Sequence, residues 1–310
     1  MIVTVTLNPA IDKTADLSEF NHGGLNRLTN IVRDAGGKGI NVSKTIKALG
    51  GETIATGFIG GSAGSFIERT LSEQGIKVDF VSVHGETRTN LKVVEQNGFV
   101  TELNEPGPQI TEAEIEELEE KLVSYAGIDT LYVFAGSIPK SVPMEAYSQM
   151  IMAVKEKGSK VFLDADGQLF RHMIDTKPDI IKPNRAELEE YFKIDYHASE
   201  EELIEVAKTF LEKGVQLVAV SLGAMGALFI TSEKVLRCKG LKVEAHSTVG
   251  AGDAMAAALT YGMDGKLPLE QCIKLAMATS AGAVTTIGTK APERELVEEL
   301  QKQVEIISLA

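Results

Sequence analysis

The residues best placed to do chemistry lie late in this 310-residue chain, where Thr248-Val249-Gly250-Ala251-Gly252-Asp253 runs into an alanine-rich stretch that reads as a helix. Small residues let a backbone approach a ligand closely. The start of a helix offers unpaired N–H groups and the positive end of its dipole, which suits a phosphate. Gly250, Ala251 and Gly252 would form such a cradle, with Asp253 in the first helical turn facing whatever the cradle holds. An anion cradle beside a carboxylate base is what phosphoryl transfer to a hydroxyl requires. An aspartate is ionised at neutral pH and is a weak base, which suffices where the transition state is loose and positioning does most of the work. A plain helix start with an acidic first turn is the other reading of the same residues. Two further phosphate motifs fail. Met255 stands where a dinucleotide fingerprint needs its third glycine, and Arg33 where a P-loop places its first.

Other stretches have the composition of sites. In Gly36-Gly37-Lys38-Gly39 a lysine stands among glycines, a context that no surface role requires. Asp12 follows the first apolar run and could accept hydrogen bonds from hydroxyls, with Gly37 and Asn41 assisting. Lys38, Arg88 and Arg27 are cations able to hold a phosphorylated substrate, and arginine can grip a phosphate with two bonds. For Arg88 and Arg27 taken singly, a solvated surface charge is the alternative. Asn90 and Ser137 are neutral donors. Asn184 and Glu187 in Lys182-Pro183-Asn184-Arg185-Ala186-Glu187 have the spacing of a capping box, so an ordinary helix start accounts for them as well. Ser221-Leu222-Gly223-Ala224-Met225-Gly226 reads as a tight turn between two strands. Cys238 and Cys272 have no metal or redox spacing.

Alternating elements must position these residues. Runs rich in β-branched residues at 2–7, 53–59, 130–135, 160–164, 179–182, 216–221 and 227–231 predict strands. Helical patterns at 39–49, 64–74, 112–125, 144–157, 200–213, 253–263 and 269–286 fall between or after them. That order predicts an α/β fold, a mostly parallel sheet covered by helices on both faces, with ligands in a crevice at the carboxyl ends of the strands. Residues 11–34 and 86–105 break the alternation. They are polar, with short alternating runs and an Asn97-Gly98 turn signal, and predict a small separate β-sheet placed as a lid over the crevice. No linker divides the chain, so residues 1–310 are expected to form one domain. The net charge of −13 argues against a nucleic-acid partner. No apolar run is long enough to span a membrane, and the N-terminus reads as a strand and not as a signal peptide, so a cytoplasmic protein is expected.

Six motifs carry a resemblance over essentially the whole chain. They are Thr6-Leu7-Asn8-Pro9-Ala10-Ile11-Asp12, Gly36-Gly37-Lys38-Gly39-Ile40-Asn41-Val42, Thr87-Arg88-Thr89-Asn90, Lys182-Pro183-Asn184-Arg185-Ala186-Glu187, Ser221-Leu222-Gly223 and Thr248-Val249-Gly250-Ala251-Gly252-Asp253. Each is weak alone, but in this order they make the chain resemble the phosphofructokinase-B group of ribokinase-like carbohydrate kinases. The resemblance implies Asp253 as catalytic base, ATP as co-substrate and Mg²⁺ held through water near Asn184 and Glu187. It implies Lys182, Asn184, Ser221, Gly223, Gly226 and Ser280 beside the nucleotide, with small residues near Ala276, Ser280 and Ala283 leaving a slot for adenine. On the sugar side it implies Asp12, Arg27, Gly37, Lys38, Asn41, Arg88, Asn90 and Ser137. The implied reaction phosphorylates a ketohexose monophosphate. Fructose 1-phosphate at its 6-hydroxyl is the first choice; tagatose 6-phosphate or fructose 6-phosphate at the 1-hydroxyl is the alternative. A catalytically silent sugar-phosphate sensor on the same fold would lack the base or the cradle, and both are present. Asp166 departs from the Ser or Thr common in relatives, and is expected to face away from a sugar phosphate or to contact a hydroxyl. Apolar surface on the lid points to a homodimer through it.

Overall fold

The computed structural model describes residues 1–195 and 197–309. Its strands are β1 (Ile2–Thr6), β2 (Ala10–Leu17), β3 (Thr29–Gly36), β4 (Thr53–Ile59), β5 (Lys77–Val78), β6 (Val81–Ser82), β7 (Arg88–Glu95) and β8 (Val100–Asn104). Beyond them come β9 (Leu131–Ala135), β10 (Lys160–Asp164), β11 (Ile180–Ile181), β12 (Leu217–Ser221), β13 (Gly226–Ile230), β14 (Val235–Lys239) and β15 (Ile306–Ser308). The helices are α1 (Lys38–Ala48), α2 (Gly61–Glu73), α3 (Glu112–Tyr125), α4 (Met144–Glu156) and α5 (Gly167–Met173). They continue with α6 (Arg185–Phe192), α7 (Glu200–Glu212), α8 (Ala251–Asp264), α9 (Leu269–Ala283) and α10 (Arg294–Gln301).

The main sheet runs β15-β14-β13-β12-β11-β10-β9-β1-β4-β5, with β6 also paired to β4. It is parallel from β5 to β12 and antiparallel from β12 to β15. Its central strands are buried along their whole length, as continuous apolar runs covered on both faces must be. One core packs Tyr132, Phe134 and Leu163 with Tyr147, Met150 and Phe210 of the helices on one face. A second packs Val133, Phe162 and Phe229 with α8 and α9 on the other. Between α8 and α9 the residues are small, and a Cβ on Gly262 would lie 2.8 Å from Cys272 Sγ. Both cysteines are buried and free.

The predicted lid is present. A separate four-stranded sheet, ordered β3-β2-β7-β8, draws its strands from residues 10–36 and 88–104. Ala10 pairs with Gly36 and Arg88 at the end nearest the main sheet, and Asp16 with Thr29 at the far end. The expected strand at 179–182 shortens to two residues, and α9 ends at Ala283 instead of 286. β14 and β15, the two-residue strands β5 and β6, and helices α5 and α10 had no sequence forecast.

Candidate active site

The end of β1 and the start of α1 meet through glycine. Gly37 has φ +114°, and a Cβ there would lie 2.8 Å from Thr6 Cγ2. This contact brings Lys38 and Asn41, both on α1, to the carboxyl edge of the sheet. On the other side of the crevice Gly250, with φ 83°, turns the chain into α8. The first helical bond there is Ala254 N–H to Gly250 O at 2.9 Å, so the N–H groups of Ala251, Gly252 and Asp253 lie ahead of it. That of Ala251 makes only a long 3.5 Å contact with Thr248 O.

Asp253 is buried, and Asn41 Nδ2 donates to its Oδ2 at 2.8 Å. Burial, reinforced by the charge of Asp164, pushes the Asp253 carboxyl up to about 6; Asn41, Lys182 and Lys38 pull it partly back. Lys38 Nζ lies 3.5 Å from Asp164 Oδ1 and 3.3 Å from Asp166 Oδ1. Burial opposes the Lys38 charge, yet Asp164, Asp166, Asp253 and Glu187 outweigh it and raise its pKa. Lys182 Nζ lies 3.3 Å from Asp164 Oδ2, and a Cβ on Gly252 would come within 3.2 Å of the same nitrogen. Lysine, carboxylate and cradle thus converge on one point.

These groups line one end of a cleft of about 490 Å³. Asn184 and Glu187 stand there as the N-cap and third residue of α6 and form the capping box that their spacing announced. Glu187 N–H donates to Asn184 Oδ1 at 2.9 Å and Asn184 N–H to Glu187 Oε2 at 2.8 Å. Burial raises the Glu187 carboxyl. Asn184 and Glu187 both line the cleft. Among the described residues no group of three or more His, Cys, Asp or Glu is arranged to hold a metal ion. The donors here suit a hydrated cation carried in on phosphates and reached through water. At the other end the cleft is apolar, lined by Leu241, Val243, Met277, Ala281 and Val284, with Ser221, Gly223 and Gly226 along its edge. Gly226, at φ +107°, also lets β13 pass β14, since a Cβ would lie 2.1 Å from Cys238 O. Ser280 lines the cleft and donates to Ala251 O at 3.0 Å. Ala276 and Ala283 are packed in the interior, so of the three expected slot residues only Ser280 reaches it.

Above the cleft the lid presents Asp12 and Asn90, directly paired on β2 and β7. Asn90 Nδ2 donates to Asp12 Oδ1 at 3.1 Å, and Gly36 leaves the room that the Asp12 carboxylate fills. Burial raises the Asp12 carboxyl, with Asn90, Lys92 and Lys44 opposing. Among the described residues the buried Asn90 Oδ1 and Asn41 Oδ1 have no hydrogen-bond partner. Arg88 rests on two carbonyls, Asn8 O at 3.2 Å and Glu105 O at 3.4 Å. Burial lowers its pKa, and among the described residues it has no carboxylate ion pair. Ser137 is exposed just after β9, next to Gly136, whose Cβ position is 3.6 Å from Lys38 Cβ. The structure does not bring Arg27 to this group. Arg27 is exposed in the loop beyond the far end of β2 and β3. Asp166 faces Lys38, at 3.3 Å. The strand-end turn of Asp164 and Asp166 was expected to line the crevice, but a buried strand-end acid has no motif, so Asp164 was given no role; the apolar end of the cleft, which comes largely from an aperiodic loop after β14, was missed.

Residues 5–296 match the pfkB family of carbohydrate kinases, and the chain belongs to that family. It is 38% identical over 307 residues to a 1-phosphofructokinase of Borreliella burgdorferi, covering 99% of this chain and 98% of that protein. It is 30% identical to a tagatose-6-phosphate kinase of Staphylococcus epidermidis, each chain covered fully. The crystal structure of phosphofructokinase-2 from Escherichia coli in complex with fructose-6-phosphate superposes with a TM-score of 0.90 at 27% identity, over 97% of this chain and 98% of that one.

Proposed function

We propose that this chain transfers the terminal phosphoryl group of ATP to the 6-hydroxyl of fructose 1-phosphate, giving fructose 1,6-bisphosphate. One observation carries the reading: a buried carboxylate, Asp253, stands at the N–H cradle of α8 with two lysines and a hydroxyl-binding lid pair around the same crevice. Asp12 and Asn90 accept and donate to sugar hydroxyls. Asn41 fixes the Asp253 carboxylate, which takes the proton as the sugar oxygen attacks phosphorus. The backbone N–H groups of Gly252 and Asp253 hold the charge that develops on the phosphoryl group, joined by Lys182. Arg88, a half-buried cation set on carbonyls, supplies the anion-binding end that a sugar already carrying a phosphate needs. Asn184 and Glu187 would hold the water shell of Mg²⁺, which neutralises phosphate charge when bound. The apolar end of the cleft takes the base of the nucleotide.

Fructose 1-phosphate is favoured by the 1-phosphofructokinase relatives, which span the chain at 32–38% identity. We propose further that the enzyme works in the cytoplasm as a homodimer joined through the lid. No helix among the described residues is long and apolar enough to cross a membrane, and the lid exposes Ile31, Val32, Phe99, Val100 and Leu103. ADP release measured with MgATP and each of fructose 1-phosphate, tagatose 6-phosphate, fructose 6-phosphate, fructose and adenosine tests the substrate. Fructose 1-phosphate should give the highest kcat/KM, and free fructose should trail by at least about tenfold, since a cation left without its phosphate costs roughly 1–3 kcal/mol. A preference for tagatose 6-phosphate keeps the reaction class and changes the substrate. Equal use of free sugars overturns the phosphosugar reading.

A further inference from the structure

Asp164 is the least explained charge in the molecule. It ends β10, is only 4% exposed, and lies between two ammonium groups that come from different elements. Lys38 reaches it from α1 beside the lid; Lys182 reaches it from the end of β11 beside Gly252. Three other partly buried lysine–aspartate pairs are shorter: Lys44–Asp34 at 2.7 Å, Lys121–Asp79 at 2.7 Å and Lys155–Asp179 at 2.8 Å. Those are ordinary lengths for a charge-assisted hydrogen bond. The two pairs at Asp164 are 3.5 and 3.3 Å, one to each carboxylate oxygen. A lysine has three donors; Lys38 directs two of them to Asp164 Oδ1 and Asp166 Oδ1 and keeps one. The carboxylate holds the two cations near each other with donors left to offer phosphate.

We propose that Asp164 is a positioning residue for phosphoryl transfer, which holds Lys38 and Lys182 on either side of the transfer point, each with N–H donors left for phosphate oxygens. Removing it would set two ammonium groups against each other in a buried space, and they would move apart. The inference rests on the kinase reading above. Its test is read as a ratio to wild-type turnover, so a wild-type chain without transfer activity sinks that reading and not this one separately. The charged groups facing Asp164 are Lys38 on α1, Lys182 after β11, Asp166 on its own loop, Glu187 on α6 and Asp253 on α8, with the Tyr147 hydroxyl of α4 nearby.

The experiment is Asp164→Asn in the full chain, with kcat, both KM values and the pH dependence of kcat/KM. Turnover should fall roughly 10–10²-fold, the scale of small misplacements of reacting groups. The acidic limb of kcat/KM should move to lower pH, because a negative neighbour of Asp253 has gone. In a Lys182→Met background the same substitution should cost several-fold less than it does in the wild type, because one of the two groups it positions is absent. Asp164→Glu keeps the charge but displaces it. It should lower kcat with the acidic limb unmoved, and it serves the test if the Asn variant does not fold. Full turnover with Asn or Glu, or the same fold-loss in both backgrounds, would overturn the proposal.

Discussion

Asp253 carries its charge at a cost. Its carboxyl is held near 6 by burial and by Asp164, so the folded protein binds a proton there more tightly than the unfolded chain does. Two consequences have definite signs. As a base it must be ionised, so kcat/KM should fall as pH drops through about 6, and a pH profile checks this. A raised carboxyl makes the apo fold lose stability as pH rises from below 3.8 through about 6, so Asp253→Asn should raise the melting temperature at neutral pH. The same variant should lower kcat by roughly 10²–10⁴ with nucleotide binding retained, the usual loss when a general base is removed. Calorimetry and steady-state kinetics on one preparation measure both, and a variant both less stable and fully active contradicts the role. Arg88→Ala should weaken use of the phosphosugar by roughly 1.5–3 kcal/mol, the worth of a charge-assisted bond, with the KM for ATP changed much less. Equal damage to both substrates would put Arg88 on the nucleotide side. At this scale the sequence picked out residues that the structure brings to one cleft, such as Lys38 between glycines and Asp253 after Gly-Ala-Gly. It gave neither Asp164 nor Asp166 its partner Lys38, because which charge a strand-end acid faces depends on what other elements bring to it.

The elements differ in how much a glycine must do. Gly57 lies in β4 with φ +142°, and a Cβ there would come 1.9 Å from Thr6 O of β1. No side chain can yield, since the obstacle is backbone in the middle of the sheet. Gly57→Ala should therefore cost several kcal/mol, on the order of the larger single-site losses, and give little folded protein. At Gly252 the obstacle is Lys182 Nζ at 3.2 Å, the end of a flexible chain. Gly252→Ala should fold with a near-normal melting curve and lose turnover, because the methyl group occupies the cradle and displaces Lys182. A Gly252→Ala protein with wild-type kcat would show that nothing approaches α8 there. Helices and strands of seven or more residues were largely legible, through their apolar periodicity and the turn residues that bound them. The two-residue strands β5 and β6 carry too few residues for a period, and β15 is defined by pairing with β14, about seventy positions earlier in the chain.

Over the whole molecule the proposed reaction has the lid and the main sheet share the sugar. The lid would supply Asp12, Asn90 and Arg88, and the main body Asp253, Asn41 and Lys38. The lid is joined to the body close to Gly36 and Arg88, and Lys44 of α1 grips its base through Asp34 at 2.7 Å and Ala35 O at 3.1 Å. Its exposed apolar residues, with Phe99 70% and Val32 57% accessible, need a cover. Val32→Asp with Leu103→Asp should convert a dimer to monomer in sedimentation, and a wild-type chain that sediments as a monomer would contradict the lid interface. The alternating pattern of 86–95 made the lid readable, but not that Arg27 would stand at its far end, since hairpin reach is set by register.

The central claim is transfer of phosphate to a particular oxygen. Phosphorus NMR of fructose 1-phosphate incubated with MgATP and the wild-type chain should show a second phosphate ester at carbon 6, formed one-for-one with ADP, and Asp253→Asn should form it far more slowly. ADP accumulating with inorganic phosphate and no new sugar ester, or an Asp253→Asn protein that makes the bisphosphate at the wild-type rate, would contradict the account.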